Sequence, residues 1–235
     1  MWDNPRLLNA AAGFLVGVVV LASTLVALNW LLRASPFPVR HVEVTTSLTH
    51  ASAEQMQALL ARQGRGNFFA FPIDDLRGAL ERLPWVRTAT VRRVWPDRLE
   101  IAIEEHVAFA RWAAGPDMLV NTYGERFAGS ADASLPLFSG PQGTEGEVTR
   151  RYQRFSALLV PLASPIERVV LSQRHAWSLR LANGVQLTLG RDADLAEQRL
   201  QRFVEAYAGT AGGTVPQVVD LRYPNGFALR VKGGA

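Results

Sequence analysis

Histidine, aspartate and glutamate most often carry proton transfer or hold a metal, and in this sequence they are too scattered to act together. His41, His50, His106 and His175 share no ligand spacing. The chain has no cysteine, so neither a thiolate metal site nor a disulfide framework can form. Glu104 and Glu105 are neighbours; on a strand they point to opposite faces and cannot flank one scissile bond. Asp74 and Asp75 stand where the first turn of a helix favours negative charge. Gly64-Arg65-Gly66 lacks both a preceding strand and the third glycine of a dinucleotide loop. The patterns G-x-S-x-G, H-E-x-x-H and the phosphate-loop lysine motif do not occur. The expectation is a protein with no catalytic, metal or cofactor site, one that works by binding.

The elements that must position a binding surface begin with Ala11–Leu32, a stretch without one charged side chain. At about 1.5 Å per residue a helix of that length reaches roughly 33 Å, the thickness of a hydrocarbon core. No A-x-A cleavage site follows it, so it reads as a retained anchor over residues 11–33 behind a short tail, residues 1–10. Arg6 on one side stands against Arg33 and Arg40 on the other, so charge bias leaves the orientation open. Gly13 and Gly17 form a G-x-x-x-G pair, and Trp2 and Trp30 fit interfacial belts. The net charge is +4 and the pI near 10.1, but the arginines are dispersed and often adjoin acids. That suits a mildly basic surface and no nucleic-acid partner.

After the RASPFP linker, Val39–Thr46 reads as a strand with Val42 and Val44 on one face. Ser52–Gln55 has capping-box spacing, and Met56, Leu59 and Leu60 line a helix that should stop at Gly64. Ile73, Leu76, Leu80 and Leu83 mark a second helix expected to end at Pro84. Trp85–Trp95 and the run through Leu99, Ile101 and Ile103 are strands about a Pro96-Asp97 turn. The order β-α-α-β-β predicts a small α+β domain, residues 37–106. Residues 107–235 read as a mainly antiparallel β domain. Strands are expected at 108–113, 118–122, 125–128, 166–171, 177–181, 185–189, 217–223 and 227–231, with a short one about Leu137. Two helices complete it, one carrying Val148, Tyr152, Phe155 and Leu159, the other capped by Asp192 and carrying Ala196, Leu200, Phe203 and Tyr207. The segment 209–214 reads as a flexible connection, and the final strand as a sheet edge able to accept a visiting strand.

The run FFAFPIDDL from Phe68, then LPWV from Leu83, ATVRR from Ala89, WPDRL from Trp95 and IEEH from Ile103 resemble the POTRA domain of the FtsQ/DivIB family of bacterial cell division proteins. AFARW from Ala108, Leu119-Val120, GERF from Gly124 and VDLRY from Val219 extend the resemblance over most of the chain. It implies a single-pass protein of a Gram-negative inner membrane, with a cytoplasmic amino terminus, periplasmic domains and a place at the division septum. It also implies a non-enzymatic scaffold linking early and late divisome components, with FtsB and FtsL recruited by strand addition. The family motif falls on Arg222, Tyr223, Asn225 and Gly226, followed by the strand carrying Phe227, Leu229 and Val231. Where the family pattern has a tryptophan, this chain has none near Val231. Glu205 and Arg174 match as charged rim contacts. Two other classes remain open: a membrane-anchored periplasmic POTRA chaperone or adaptor, and a peptidoglycan-acting enzyme, which would need convergent carboxylates in a pocket.

Overall fold

A computed structural model describes residues 5–33, 37–63, 66–208, 216–224 and 226–231. The expected flexible segment 209–214 and the candidate residue Asn225 lie outside the described residues. The chain divides into two compact units, residues 1–105 and 106–235.

The first unit opens with helix α1 (Pro5–Arg33), which includes six residues ahead of the uncharged stretch. Its apolar part, Asn9–Trp30, is long enough to cross a membrane, and none of it is buried. A three-stranded sheet follows from β1 (His41–Val44), β2 (Val86–Val94) and β3 (Arg98–Glu105) in the order β1-β3-β2. β1 runs parallel to β3 and β2 antiparallel to it. Helices α2 (Ala53–Gln63) and α3 (Ile73–Leu80) lie between β1 and β2 in the chain. Met56, Leu76 and Leu80 from the helices meet Val91, Leu99, Ile101 and Ile103 from the sheet in one core. α3 stops at Leu80 instead of reaching Pro84. Pro84 has no N–H to give the Leu80 carbonyl and drives Leu83 from helical geometry; the Leu83 N–H turns to the Leu80 carbonyl at 3.0 Å. Trp85 then takes a positive φ of 69°, so the strand starts one residue later than expected.

At the end of β3 the Glu105 carboxylate accepts the backbone N–H groups of Thr49, His50 and Ala51 at 2.7–3.3 Å. Partial burial disfavours its charge. The N–H groups and nearby His50 outweigh that and hold its pKa below the ordinary carboxylate value. This one side chain ties the loop between β1 and α2 to the sheet.

The second unit is built on a nine-stranded sheet. Its strands are β4 (Ala108–Trp112), β5 (Met118–Asn121), β6 (Arg126–Ala128), β7 (Leu137–Ser139), β8 (Ile166–Leu171), β9 (Trp177–Leu181), β10 (Gln186–Gly190), β11 (Val218–Asp220) and β12 (Ala228–Arg230). The spatial order is β12-β11-β10-β9-β8-β7-β4-β5-β6. Five of the eight pairings are antiparallel; β4 with β7, β7 with β8 and β10 with β11 are parallel. Helices α4 (Glu145–Leu159) and α5 (Ala193–Ala208) cover one face. Phe155 of α4 meets Trp177 edge to face at 5.7 Å, and Leu179, Leu187, Leu200, Phe203 and Val219 are buried alongside. The opposite face carries Arg168, Ser178, Arg180 and Gln186. Asp192 caps α5 as its type predicts, its Oδ1 accepting the N–H groups of Asp194 and Leu195 at 3.0 Å. Arg151 of α4 ties the two helices through Asp194 and Glu197.

Candidate partner-binding edge

β12 ends the sheet: among the described residues it pairs with β11 and has no neighbour on its outer side. Its register sets Val218 against Arg230, Val219 against Leu229 and Asp220 against Ala228. The Arg230 carbonyl accepts the Gln217 N–H at 2.8 Å and so faces β11. Neighbouring residues of an antiparallel strand turn their N–H and C=O groups to opposite edges, so Leu229 turns both of its groups outward. Its side chain shares the face of buried Val219, the helix-covered face. The two-residue period places Phe227 and Val231 on the same side. Phe227 packs edge to face on Phe203 of α5 at 5.3 Å. Leu229 and Val231 remain 48% and 45% exposed. Outward backbone groups thus stand beside a strip of apolar surface that continues the core.

Arg222 and Tyr223 are not in the strand where the sequence places them. β11 closes at Asp220, and both lie in the connection to β12. The Asp220 carboxylate accepts the Arg222 backbone N–H at 3.1 Å and its guanidinium at 2.6–3.1 Å, which bends the chain out of extended pairing. The side-chain bond from Arg222 is the main reason the Asp220 pKa is lowered, and Asp220 in turn raises that of Arg222. Tyr223 is 53% exposed, outside the core. The stem of Arg222 passes 3.5 Å from the place a Cβ would occupy on Gly190, whose φ of 93° also favours glycine.

The other predicted residues flank this corner. Gly226 is exposed, as is Glu205, which accepts a hydrogen bond from Gln201 at 3.0 Å. Arg174 is exposed on the turn between β8 and β9, at the sheet end where Trp177 lies across from Gly190. Sequence reasoning missed Arg199 and Arg202 of α5. The Arg202 guanidinium donates to the Pro224 carbonyl at 2.9 Å, and Arg199 to the Leu189 carbonyl at 3.3 Å. Their spacing of three residues was the available signal, since it puts both on one helix face.

Fold and site together define an α+β protein with two compact units, one ending in a sheet edge without an outer neighbour among the described residues, in a chain whose apolar amino-terminal helix is compatible with a single-pass membrane anchor. Residues 37–106 match the family model for the FtsQ-type POTRA domain, and residues 110–222 that for the C-terminal part of cell division protein FtsQ/DivIB. The cell division protein FtsQ of Burkholderia pseudomallei is 39% identical, over 99% of this chain and 95% of its own length. Those of Nitrosospira multiformis and Neisseria gonorrhoeae are 36% and 30% identical, each over 98% of this chain and over 99% and 95% of their own lengths. The chain belongs to the FtsQ/DivIB family of cell division proteins.

Proposed function

We propose that this protein is a non-enzymatic divisome scaffold, held by α1 in the inner membrane at the septum, with both folded units periplasmic, and that β12 recruits FtsB and FtsL. A partner segment adds to the free edge of β12 by main-chain hydrogen bonds, and its inward side chains extend the apolar strip of Phe227, Leu229 and Val231. Arg222, Tyr223 and Gly226 form the corner over which that segment passes, and Asn225, outside the described residues, is a further candidate contact. Arg174 and Glu205 supply charge at its rim. The observation that carries this reading is the outermost position of β12 among the described residues, with Leu229 turning its N–H and C=O outward beside half-exposed apolar side chains. Capture of FtsB and FtsL by the full chain in detergent, compared with a chain lacking residues 227–235, tests it. Capture is expected to fall to background, and equal capture by both forms counts against it. Topology is tested separately. Because the chain has no cysteine, Glu54→Cys is expected to react with a membrane-impermeant maleimide in spheroplasts without lysis.

A further inference from the structure

Beside the edge, and unused by strand pairing, lies a cleft of about 170 Å³ lined by Arg199, Arg202, Gly226 and Phe227. Phe227, whose ring packs edge to face on Phe203, gives it an apolar lining. Gly226 leaves it open, since nothing stands within 4 Å of where a Cβ would sit. Each guanidinium has five N–H groups in a planar fork. Arg199 and Arg202 each give one hydrogen bond to a backbone carbonyl, and neither has a carboxylate partner among the described residues. Asp220 is paired with Arg222 and Asp192 caps the start of α5, while Glu205 accepts a hydrogen bond from Gln201 and, among the described residues, makes no bond to either arginine. The Arg222 stem and the Arg199 guanidinium converge on Gly190, at 3.5 and 3.4 Å from its would-be Cβ, and because the Arg222 guanidinium is paired with Asp220 the free positive charge here is that of Arg199 and Arg202.

We propose that the cleft receives a glutamate or aspartate side chain of the same peptide that pairs with β12, and that this contact fixes the register of the added strand. The proposal rests on the edge reading above. An edge of three residues specifies register weakly by itself, because a two-residue slip keeps the same side chains on the same face. An anchor beside the strand removes that freedom. Two guanidiniums set beside an apolar lining suit a carboxylate at the end of a short aliphatic stem.

The test is a thermodynamic cycle on the full chain in detergent, read by fluorescence anisotropy. Its probes are the periplasmic segment of FtsB and the same segment with every Glu and Asp changed to Gln and Asn. The amide form should bind the unmodified protein about ten-fold more weakly, the size of one charge-assisted hydrogen bond. Arg202→Gln should weaken the acidic form about as much and leave the amide form unchanged. Arg199→Gln, at the other guanidinium lining the cleft, should reproduce that pattern. If the amide form binds as tightly as the acidic one, or if Arg202→Gln has no effect or weakens both forms alike, the proposal is overturned. In the last case Arg202 acts only by anchoring Pro224. If neither form binds the unmodified protein, the edge reading itself fails and takes this proposal with it.

Discussion

Leu229→Pro separates the pairing of β12 with β11 from the partner binding proposed for its outer edge. The Arg230 carbonyl faces β11, so the Leu229 N–H faces out, and its removal costs the protein no ladder bond of its own. Proline is tolerated at such an edge position. An added strand would lie about 4.8 Å away. It would lose one hydrogen bond, face a pyrrolidine ring, and keep a carbonyl with no donor. Together these cost about 2–4 kcal/mol, a loss of roughly 30-fold to 1,000-fold in affinity. Leu229→Ala is the control for the lost side chain, and Arg230→Pro, which removes an inward bond, should loosen β12 itself. Calorimetric titration with the FtsB segment gives the affinities, and circular dichroism shows whether each variant is folded. If folded Leu229→Pro binds within about two-fold of Leu229→Ala, far below the cost worked out here, then the outward groups of Leu229 make no bond to the partner.

Three further outcomes follow from named contacts. Tyr223→Ala should weaken FtsB binding by about 2 kcal/mol if the exposed ring is an anchor; an unchanged titration removes Tyr223 from the interface. Glu105 has a lowered pKa when folded, so its stabilisation is present above the ordinary carboxylate range and is lost as pH falls through the folded value. Glu105→Gln should therefore cost about 1–2 kcal/mol at neutral pH and flatten the acid limb of the stability curve. Amide exchange at Thr49, His50 and Ala51 reads this directly, and equal protection in both forms contradicts the role given to the Glu105 carboxylate. Phe203→Ala should destabilise the second unit by about 3–5 kcal/mol in urea unfolding and also weaken partner binding, because it removes the support of Phe227.

The periodic stripes made most of the architecture legible. Leu76 and Leu80, Leu99 with Ile101 and Ile103, and Leu200 with Phe203 face the cores their spacing assigns them. The parallel pairing of β10 with β11 was hidden, since neither strand carries a sign of its direction. At the edge, Phe227 and Leu229 were visible as alternating apolar residues. Arg202 was not, because its role depends on a carbonyl twenty-two positions along the chain, a distance no local pattern encodes. The Asp220 clamp on Arg222 lay within reach as an acid two residues before a base. The extended appearance of VDLRY concealed it.

β12 is only three residues long and, among the described residues, is fastened on one side alone. Any guest strand that fastens the other side must also secure its host, since binding to the folded form draws the local opening equilibrium closed. Without a bound strand β12 should therefore open more often and be more accessible to a protease. Cells lacking its partners should accumulate chains clipped between α5 and the end, which makes complex assembly and protein lifetime two readings of one equilibrium.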